Sequence, residues 1–316
     1  MRRFLIRRAV FAILTLWGVT IAVFILSRLG PDPLLVYVRE ASYGISPETI
    51  AALKEKWGLD RPLIVQYAKW VGALLQGDLG ESVAAQRSVV LIISEKVPAT
   101  AQLASIAWVI ATVPGVALGV LSAVKRGSTW DYTARAIALI GQATPSFWLA
   151  LVMILVFSVQ LDWLPSATRG DPNDPLFARL RHFVMPAIVL ALGPWAVYMR
   201  LTRSSMLEVL DTEFVKLARA KGVGNTMVLW KHALRNALIQ PLTVSAVVLA
   251  SFITGAVFVE TVFAWPGIGR LAVQATLDND FPILAGVVLM FGVAYLALNF
   301  LADLAYAVVD PRIRYS

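Results

Sequence analysis

The sequence predicts an all-α protein that crosses a membrane six times and carries a small helical subdomain outside it. Of its 316 residues, 58% are hydrophobic and only 15% are charged, whereas soluble domains carry about a quarter charged residues. The mean hydropathy is +0.71. The hydrophobic residues are gathered in runs long enough to span a bilayer, which takes roughly 20 residues per helix. The six runs lie at residues 9–29, 99–124, 133–160, 183–203, 240–262 and 283–309.

The first apolar run follows the basic sequence MRRFLIRR, as the hydrophobic region of a secretory signal peptide does. At about 21 residues it is longer than such a region, which has about 7–15, and no A-x-A cleavage site follows it. We therefore expect residues 1–30 to stay in the protein as its first transmembrane helix.

Residues 31–98 separate the first two runs and are too long and too regularly patterned for a simple connection. Ser46 is placed to cap a helix that has Pro47 at its first position. A second helix is predicted within RPLIVQYAKWVGALLQG, and a third short helix is predicted to end at Pro98. We expect these helices to form an extracytoplasmic subdomain, which either caps the transmembrane bundle or docks an external protein.

The remaining five runs form the predicted membrane core, residues 99–309, which is followed by a short tail at 310–316. Proline or glycine is expected to interrupt several of these runs. A bilayer tolerates such interruptions where neighbouring helices or a water-filled path satisfy the freed backbone groups. Each interruption is therefore open to two interpretations, a packing kink or a place on a path through the membrane. The predicted interruptions are at Pro114-Gly115, Pro145, Pro194 and Thr254-Gly255.

Lysine and arginine are distributed unequally between the two sides of this predicted core, and the net charge is +8. With the N-terminus inside, the inner side receives the basic N-terminus, Lys125, Arg126, the 213–241 stretch and the tail, whereas 31–98 mixes both signs. Short cytoplasmic loops usually carry the positive charge. Six spans then place both termini in the cytoplasm, with the protein in the plasma or inner membrane.

Polar residues within the apolar runs need a reason, because a charge at the bilayer centre costs about 2.5–3.5 kcal/mol on insertion scales. Candidates for lining a path through the membrane lie beside the predicted interruptions: Gln142, Thr144, Ser146, Thr254 and Gly255. Glu260 ends the fifth run, where it either anchors the following turn or contacts a transported solute. Asn299 and Asp303 in the sixth run are interpreted as structural hydrogen-bonding groups.

Several kinds of chemistry are excluded by composition. The chain has no cysteine and only two histidines, His182 and His232, which lie in different segments, so it offers neither a thiolate metal site nor a histidine pair. The pattern GxxxxGK[ST] does not occur, which excludes a P-loop nucleotide site. We expect no cofactor and no enzymatic activity on this chain, so that any chemical energy has to come from a partner.

Residues 213–241 form a basic, helix-prone stretch between the fourth and fifth runs. One amphipathic helix is predicted over 213–221, followed by a break at Gly222, where a side chain would clash or would need a positive φ. Asn225 is expected to cap a second helix. That second helix would carry its large apolar side chains on a single stripe: Met227, Trp230, Leu234 and Leu238.

Three interpretations of this stretch compete. A DNA-reading helix-turn-helix needs a recognition helix that can enter the major groove, whereas here the second helix continues into a membrane span. Anionic lipid explains the cations, at about 1 kcal/mol per lysine or arginine, but not the glycine turn or the apolar stripe. Docking into a groove on a soluble partner explains all three features. We therefore expect a protein partner and membrane lipids here, and no nucleic acid.

The same stretch resembles the cytoplasmic EAA loop of binding-protein-dependent ABC importers, in the form found in dipeptide, oligopeptide and nickel permeases. Of the general motif only Ala218, Gly222 and Leu234 match, whereas ARAKG followed by HALRNALIQP is similar to the peptide-permease form. Lys216 and Arg235 stand where the general motif has Glu and Pro, which narrows the resemblance to that branch. Four further stretches are similar to the same branch: GDLGES at 77–82, TPSFWLA at 144–150, ETVFAWPGIGR at 260–270 and DPRIRYS at 310–316.

The resemblance implies a type I ABC importer permease, one of two membrane subunits that enclose a translocation path for short peptides. A homologous second permease would complete the pore, and an extracytoplasmic solute-binding protein would deliver the solute. Two cytoplasmic ATPases would bind ATP and Mg²⁺ and dock on the loop at about 208–239. The residues implied to contact these ATPases are Lys216, Ala218, Arg219, Ala220, Lys221, Gly222, Met227, Trp230, His232, Leu234 and Arg235.

Nickel or another small solute is the nearest alternative to peptides. A secondary transporter or channel would be expected to show coupling carboxylates or inverted repeats near the membrane midplane, and neither is evident in the sequence. An intramembrane enzyme is disfavoured because no histidine pair, Ser/Lys pair or aspartate pair lies at membrane depth.

Overall fold

The computed structural model describes residues 2–29, 61–171 and 173–309. Most of this described part is helical, and the one extended pairing in it is an isolated bridge between Glu81 and Ser88. The predicted helix after Ser46 and the tail at 310–316 lie outside the described residues.

The helices of the described part are numbered here in chain order. They are α1 (Arg2–Leu29), α2 (Leu63–Leu75), α3 (Val89–Val124), α4 (Thr129–Ala143), α5 (Ser146–Gln160), α6 (Leu176–Leu210), α7 (Glu213–Ala220), α8 (Asn225–Ala237), α9 (Ile239–Val262), α10 (Ile268–Leu277) and α11 (Phe281–Val309). The turns of α5 over Ile154–Gln160 and of α8 over Val228–Ala233 are π-helical.

Four of these helices are long and apolar enough to cross a bilayer: α1 over Ile6–Leu29, α3, α6, and α11 over Phe281–Leu301. Two further spans arise if each of two bent helix pairs counts as one. These pairs are α4 with α5, bent by 101°, and α8 with the first part of α9, bent by 41°. The chain is therefore an all-α polytopic membrane protein, and the predicted count of six is reached when each bent pair is one span.

Three of the four predicted interruptions are wrong, because the helices continue through them. α3 runs through Pro98 and Pro114, so the predicted separate helix ending at Pro98 is the first part of a 36-residue helix. α6 continues through Pro194, and α9 continues through Thr254-Gly255. A proline inside a helix removes one hydrogen bond. Membrane helices tolerate that loss, because neighbouring helices and polar side chains can satisfy the freed backbone group.

Pro145 does interrupt its helix, as predicted. Thr144 before it is extended, at φ −77° and ψ 122°, because a following proline disfavours the helical region. Pro145 itself has φ −62° and ψ 130° and is the N-cap residue of α5. The result is the 101° bend between α4 and α5.

The chain divides into two compact units, of which the first contains the described residues up to Ala99 together with Pro266–Leu296. In its core the start of α3 packs on α10 and α11 through Val89, Ile268 and Val287. This packing explains why the apolar pattern before Pro98 belongs to α3 rather than to a separate helix.

The loop at 77–88, which carries the GDLGES sequence, is fixed in the same unit by a buried carboxylate. Asp280, 1% exposed, accepts hydrogen bonds from the Ser82 hydroxyl at 2.5 Å and from the Ala84 N–H at 3.2 Å. Its other oxygen accepts from the Ile283 N–H at 3.2 Å and so caps the first turn of α11. One carboxylate therefore joins the loop to the start of α11.

The second unit contains Thr100–Trp265 and the C-terminal part of α11. α6 lies at its centre and packs against α4, α5 and α9. The second half of α3 approaches α6 closely: a Cβ on Gly115 would lie 2.9 Å from the Tyr198 Cβ, and one on Gly119 would lie 2.6 Å from the Thr202 Cβ. Small residues spaced in this way let two membrane helices pack with their backbones close together.

A chain of hydrogen bonds crosses the second unit from α3 to α9. Trp108 Nε1 donates to the Tyr198 hydroxyl at 3.1 Å, and that hydroxyl donates to Ser245 Oγ at 2.9 Å. Tyr198 is fully buried, and a buried hydroxyl is costly unless it is hydrogen-bonded. These bonds fix α6 to both of its neighbours.

Candidate functional site

A cavity of about 260 Å³ lies at the break between α4 and α5. Its walls are the end of α4, the start of α5, the middle of α6 and part of α9. Its polar side chains are Gln142, Thr144, Ser146 and Ser251, and the rest of its lining is mainly apolar. None of the described residues that line it carries a charge. The structure thus brings together three of the residues predicted to line a path through the membrane.

The helix break lies in the wall of this cavity, between Thr144 and Ser146. The last carbonyls of one helix and the first N–H groups of the next lack partners within their own helix. At the end of α4, the backbone N–H and the hydroxyl of Thr144 both donate to the Ile140 carbonyl, at 2.9 and 2.7 Å. At the start of α5, Pro145 makes no side-chain cap hydrogen bond. The cavity is therefore lined by hydroxyl and amide side chains without a charged group, which suits an uncharged hydrogen-bonding solute.

The other residues predicted to line the path lie on α9. Thr254 and Gly255 are helical, and their side-chain surroundings lie outside the described part of the structure, so their role stays a prediction. Glu260 is fully buried, accepts a hydrogen bond from the Thr100 hydroxyl at 2.6 Å, and its carbonyl accepts from the Trp265 N–H at 2.8 Å. Of the two interpretations open for Glu260, this arrangement favours anchoring of the turn after α9.

The two polar residues of the sixth run both lie on α11. Asn299 is half-buried and takes part in an interaction there. The side chain of Asp303 lies outside the described part of the structure, so its structural role stays a prediction.

α7 and α8 meet at Gly222, as predicted, and together they are called the α7–α8 element, residues 213–237. Gly222 has φ +79°, a left-handed conformation that favours glycine, and its N–H donates to the Arg219 carbonyl at 3.0 Å. Of the two reasons predicted for this glycine, the positive φ is confirmed. The other reason, a clash with a side chain at this position, is wrong, because no heavy atom lies within 4 Å of the position that a Cβ on Gly222 would take.

The start of α8 differs from the prediction by one residue. Asn225 is the first helical residue, and Gly224 is the N-cap residue at φ −59° and ψ 142°, without a side-chain cap bond. Asn225 is therefore not the cap, and the N–H groups of the first turn are not satisfied by a side chain at that position. Helix ends predicted from capping residues commonly shift by this much.

The predicted single apolar stripe on α8 is also wrong. Met227 and Trp230 are 53% and 60% exposed, whereas Leu234 packs inward. The inward side belongs to a cluster of buried residues: Val120, Ala123, Met206, Ala233 and Ala237. The cause is the π-helical turn over Val228–Ala233, because its i→i+5 hydrogen bonds change the angular spacing of side chains.

The outward surface of the α7–α8 element combines cations with large apolar side chains. Its exposed apolar residues are Phe214, Leu217, Met227 and Trp230. Of the predicted contact residues, Lys216, Arg219, Ala220, Lys221, Gly222 and Arg235 are exposed, and Ala218, His232 and Leu234 are half-buried. Lys216 Nζ lies 2.8 Å from Glu213 Oε1. Exposed Trp and Met beside Arg are the composition of a protein-docking surface.

A buried ionic cluster at the start of α4 was not predicted from the sequence. Asp131 is 2% exposed and is bound by Arg203 and Ser122. The available signal was Ser128, three residues before Asp131, whose hydroxyl accepts from the Asp131 N–H at 3.4 Å and marks the start of a helix. That pattern does not indicate that Asp131 pairs with an arginine 72 residues away.

The whole chain is similar to known transport proteins. The family model described as "binding-protein-dependent transport system inner membrane component" matches residues 115–315, and the N-terminal model of the same component matches residues 1–104. A putative peptide transport system permease protein of Brucella abortus (strain 2308) is 40% identical over 316 residues, with 100% of both chains covered. The oligopeptide transport system permease protein AppB of Bacillus subtilis (strain 168) is 38% identical, again with 100% of both chains covered. The di/tripeptide transport system permease protein DppB of Pseudomonas aeruginosa (strain UCBPP-PA14) is 38% identical, with 100% of this chain and 99% of the relative covered.

Solved structures show the same fold. A chain of the inward-facing methionine ABC transporter MetNI matches with a TM-score of 0.58 at 19% identity, covering 70% of this chain and 97% of that one. A chain of an amino acid ABC transporter crystallised with histidines matches with a TM-score of 0.52 at 17% identity. Since the family model covers most of the chain and the relatives match it end to end, the protein belongs to the family of binding-protein-dependent transport system inner membrane components.

Proposed function

We propose that this chain is one of two permease subunits of an ATP-driven importer and forms half of a translocation path for short peptides. The observation that carries the proposal is the course of α6. This single helix forms one wall of the neutral cavity through Val189–Pro194 and ends at Leu210, directly before the α7–α8 element. One continuous helix therefore connects the surface on which partner proteins would act with the cavity through which a solute would pass.

The cavity lining favours peptides over nickel as the solute. Ni²⁺ is bound by imidazole, thiolate or carboxylate ligands, and the described lining offers hydroxyls and an amide instead. Neutral donors and acceptors suit the backbone of a peptide, whatever its side chains are. The relatives named as peptide permeases support the same choice. Selectivity would then belong mainly to an extracytoplasmic solute-binding protein that delivers the peptide.

The outward surface of the α7–α8 element would dock two cytoplasmic ATPases, one on this subunit and one on a homologous second permease. ATP and Mg²⁺ would bind on those ATPases, because this sequence has no P-loop. Trp230 and Met227 are the proposed apolar anchors, and the cations of the element would contact the rim of the ATPase groove.

The excess of lysine and arginine in the α7–α8 element and near the N-terminus supports an orientation in which this element and both chain termini would face the cytoplasm. The 31–98 segment then lies outside, where it would meet the solute-binding protein. Membrane lipids would cover the apolar spans and the basic N-terminus.

The test is ATP-dependent uptake into proteoliposomes that contain the chain with its co-purifying permease and ATPase subunits and its solute-binding protein. Labelled di- and tripeptides and radioactive nickel are offered separately, with a non-hydrolysable ATP analogue as the control. We expect uptake of the peptides, but not of nickel, to require hydrolysable ATP. Nickel uptake without peptide uptake, or peptide uptake that persists with the analogue, contradicts the proposal.

A further inference from the structure

Three helices of the second unit meet at one buried carboxylate. Ser122 lies in the last turn of α3, Asp131 in the first turn of α4, and Arg203 two turns before the end of α6. Asp131 Oδ1 accepts from Ser122 Oγ at 2.5 Å and from Arg203 Nε at 2.8 Å. Asp131 Oδ2 accepts from Arg203 Nη2 at 2.9 Å and from the Gly127 N–H at 3.0 Å.

This arrangement specifies geometry as well as charge. A guanidinium that bonds both oxygens of one carboxylate fixes the orientation of both groups. The Asp131 side chain is 3% exposed and that of Arg203 is 19% exposed, so solvent screens the pair only weakly. Arg135 contributes little, because its Nε is 3.8 Å from Oδ1 and its side chain is half exposed.

The cluster lies between the α7–α8 element and the cavity. On α6, Met206 follows Arg203 by one turn and packs against Ala233 and Ala237 of α8. In the other direction Arg203 is about 14 Å from Pro194 in the cavity wall, at 1.5 Å per helical residue. On α4, Asp131 and Gln142 lie near opposite ends of the same helix.

We propose that Asp131 and Arg203 are positioning residues that make α4 and α6 move as one body, so that a displacement of the α7–α8 element reaches both walls of the cavity. The inference rests on the proposed function, since it assigns the α7–α8 element as the place where the ATPases act. Hydrophobic contacts between α4 and α6 hold the two helices together but are non-directional. The bidentate contact between Arg203 and Asp131 adds a fixed relative orientation at the end of these helices near the α7–α8 element.

The test compares two variants. Arg203→Lys keeps the positive charge but loses the bidentate contact with Asp131, and Arg135→Lys is the matched control on the same carboxylate. The assembled complex in proteoliposomes is assayed for the amount of co-purifying ATPase, the rate of ATP hydrolysis and peptide uptake. We expect Arg203→Lys to lower the ratio of peptide taken up to ATP hydrolysed about tenfold, with complex and hydrolysis within about twofold of wild type. Arg135→Lys should leave all three unchanged.

An unchanged ratio in Arg203→Lys overturns the inference, and so does a parallel fall in complex, hydrolysis and uptake, which marks a purely structural pair. A double variant, Asp131→Leu with Arg203→Met, separates the two roles further, because an apolar replacement of a buried ion pair commonly preserves stability. We expect this variant to assemble normally and still to show the low ratio. A ratio restored to the wild-type value overturns the inference. Absence of ATP-dependent peptide uptake in the wild-type complex overturns the proposed function as well, whereas the other adverse results overturn this inference alone.

Discussion

The break at Pro145 and the break at Gly222 interrupt helices in the same compact unit, and they expose opposite kinds of surface. At Pro145 the helices bend around a concave site lined by neutral polar and apolar groups. At Gly222 they bend on the outside of the unit and expose cations beside Met227 and Trp230. The comparison shows that a helix break is not itself a functional signal. In the proposed function, the charge and the curvature of the surface beside each break distinguish the path from the docking surface.

The largest effect is expected at the proposed docking surface, the outward surface of the α7–α8 element, from Trp230→Ala. Removing a central aromatic anchor from a protein interface costs about 2 kcal/mol or more, which corresponds to roughly a 30-fold loss of affinity. The measurement is the affinity of the detergent-solubilised permease pair for its ATPase. Trp163→Ala is the control, because Trp163 is equally exposed, at 59%, but lies outside the α7–α8 element. Equal affinities for the two variants would show that the ATPase does not dock on Trp230.

A smaller effect is expected from the turn that holds the docking surface in place, from Gly222→Val. A β-branched residue at φ +79° costs about 1–2 kcal/mol, so the position of α8 relative to α7 should change and ATP-driven uptake should fall roughly tenfold. Gly224→Val is the matched control, because Gly224 also has no heavy atom within 4 Å of its Cβ position but has a φ of −59°. If both variants transport equally well, backbone conformation at Gly222 does not matter for coupling.

These two breaks also show how far sequence reasoning reaches. Both were predicted, because proline and glycine act on the backbone locally, within one or two residues of their position. The breaks at Pro114 and Pro194 were predicted by the same rule and do not exist, because packing against neighbouring helices can satisfy the backbone group that a proline frees in a membrane helix. Local rules therefore give the candidate positions, and tertiary packing selects among them.

Features that depend on distant residues could not be predicted. The partners Asp131 and Arg203 are far apart in sequence, and both belong to ordinary local patterns, a capped helix start and the end of an apolar run. The outward orientation of Met227 and Trp230 depends on the π-helical turn, which no composition rule indicates. Family membership, by contrast, followed from short motifs spread over the whole length, because many weak local matches in one order are together specific.

In the cavity, a substitution that reduces volume should affect large solutes first. Gly193 lies in the cavity wall, with no heavy atom within 4 Å of its Cβ position, so Gly193→Leu should fit without strain and fill part of the 260 Å³. Tripeptide uptake should fall roughly fivefold and dipeptide uptake should fall less, because the leucine side chain would occupy part of the cavity volume. Gly18→Leu on α1 is the control, since Gly18 also has open space but does not line the cavity. Equal losses for both peptides would show that the cavity does not limit solute size.

The smallest effect tests whether the neutrality of the cavity matters, as its contrast with the cationic docking surface implies. Gln142→Glu places a negative charge in the lining with almost no change of shape, and Gln142→Lys places a positive one there. Because Gln142 is exposed to the cavity, solvent reduces the interaction with a charged solute to about 0.5 kcal/mol, or roughly twofold in rate. With Glu, uptake of a dipeptide containing lysine should rise relative to one containing glutamate, and with Lys the preference should reverse, while wild type transports both alike. Both peptides are offered to the same proteoliposomes with saturating solute-binding protein, so that delivery does not determine the ratio. A preference that does not change sign between the two variants would place Gln142 away from the path and leave the cavity as packing space.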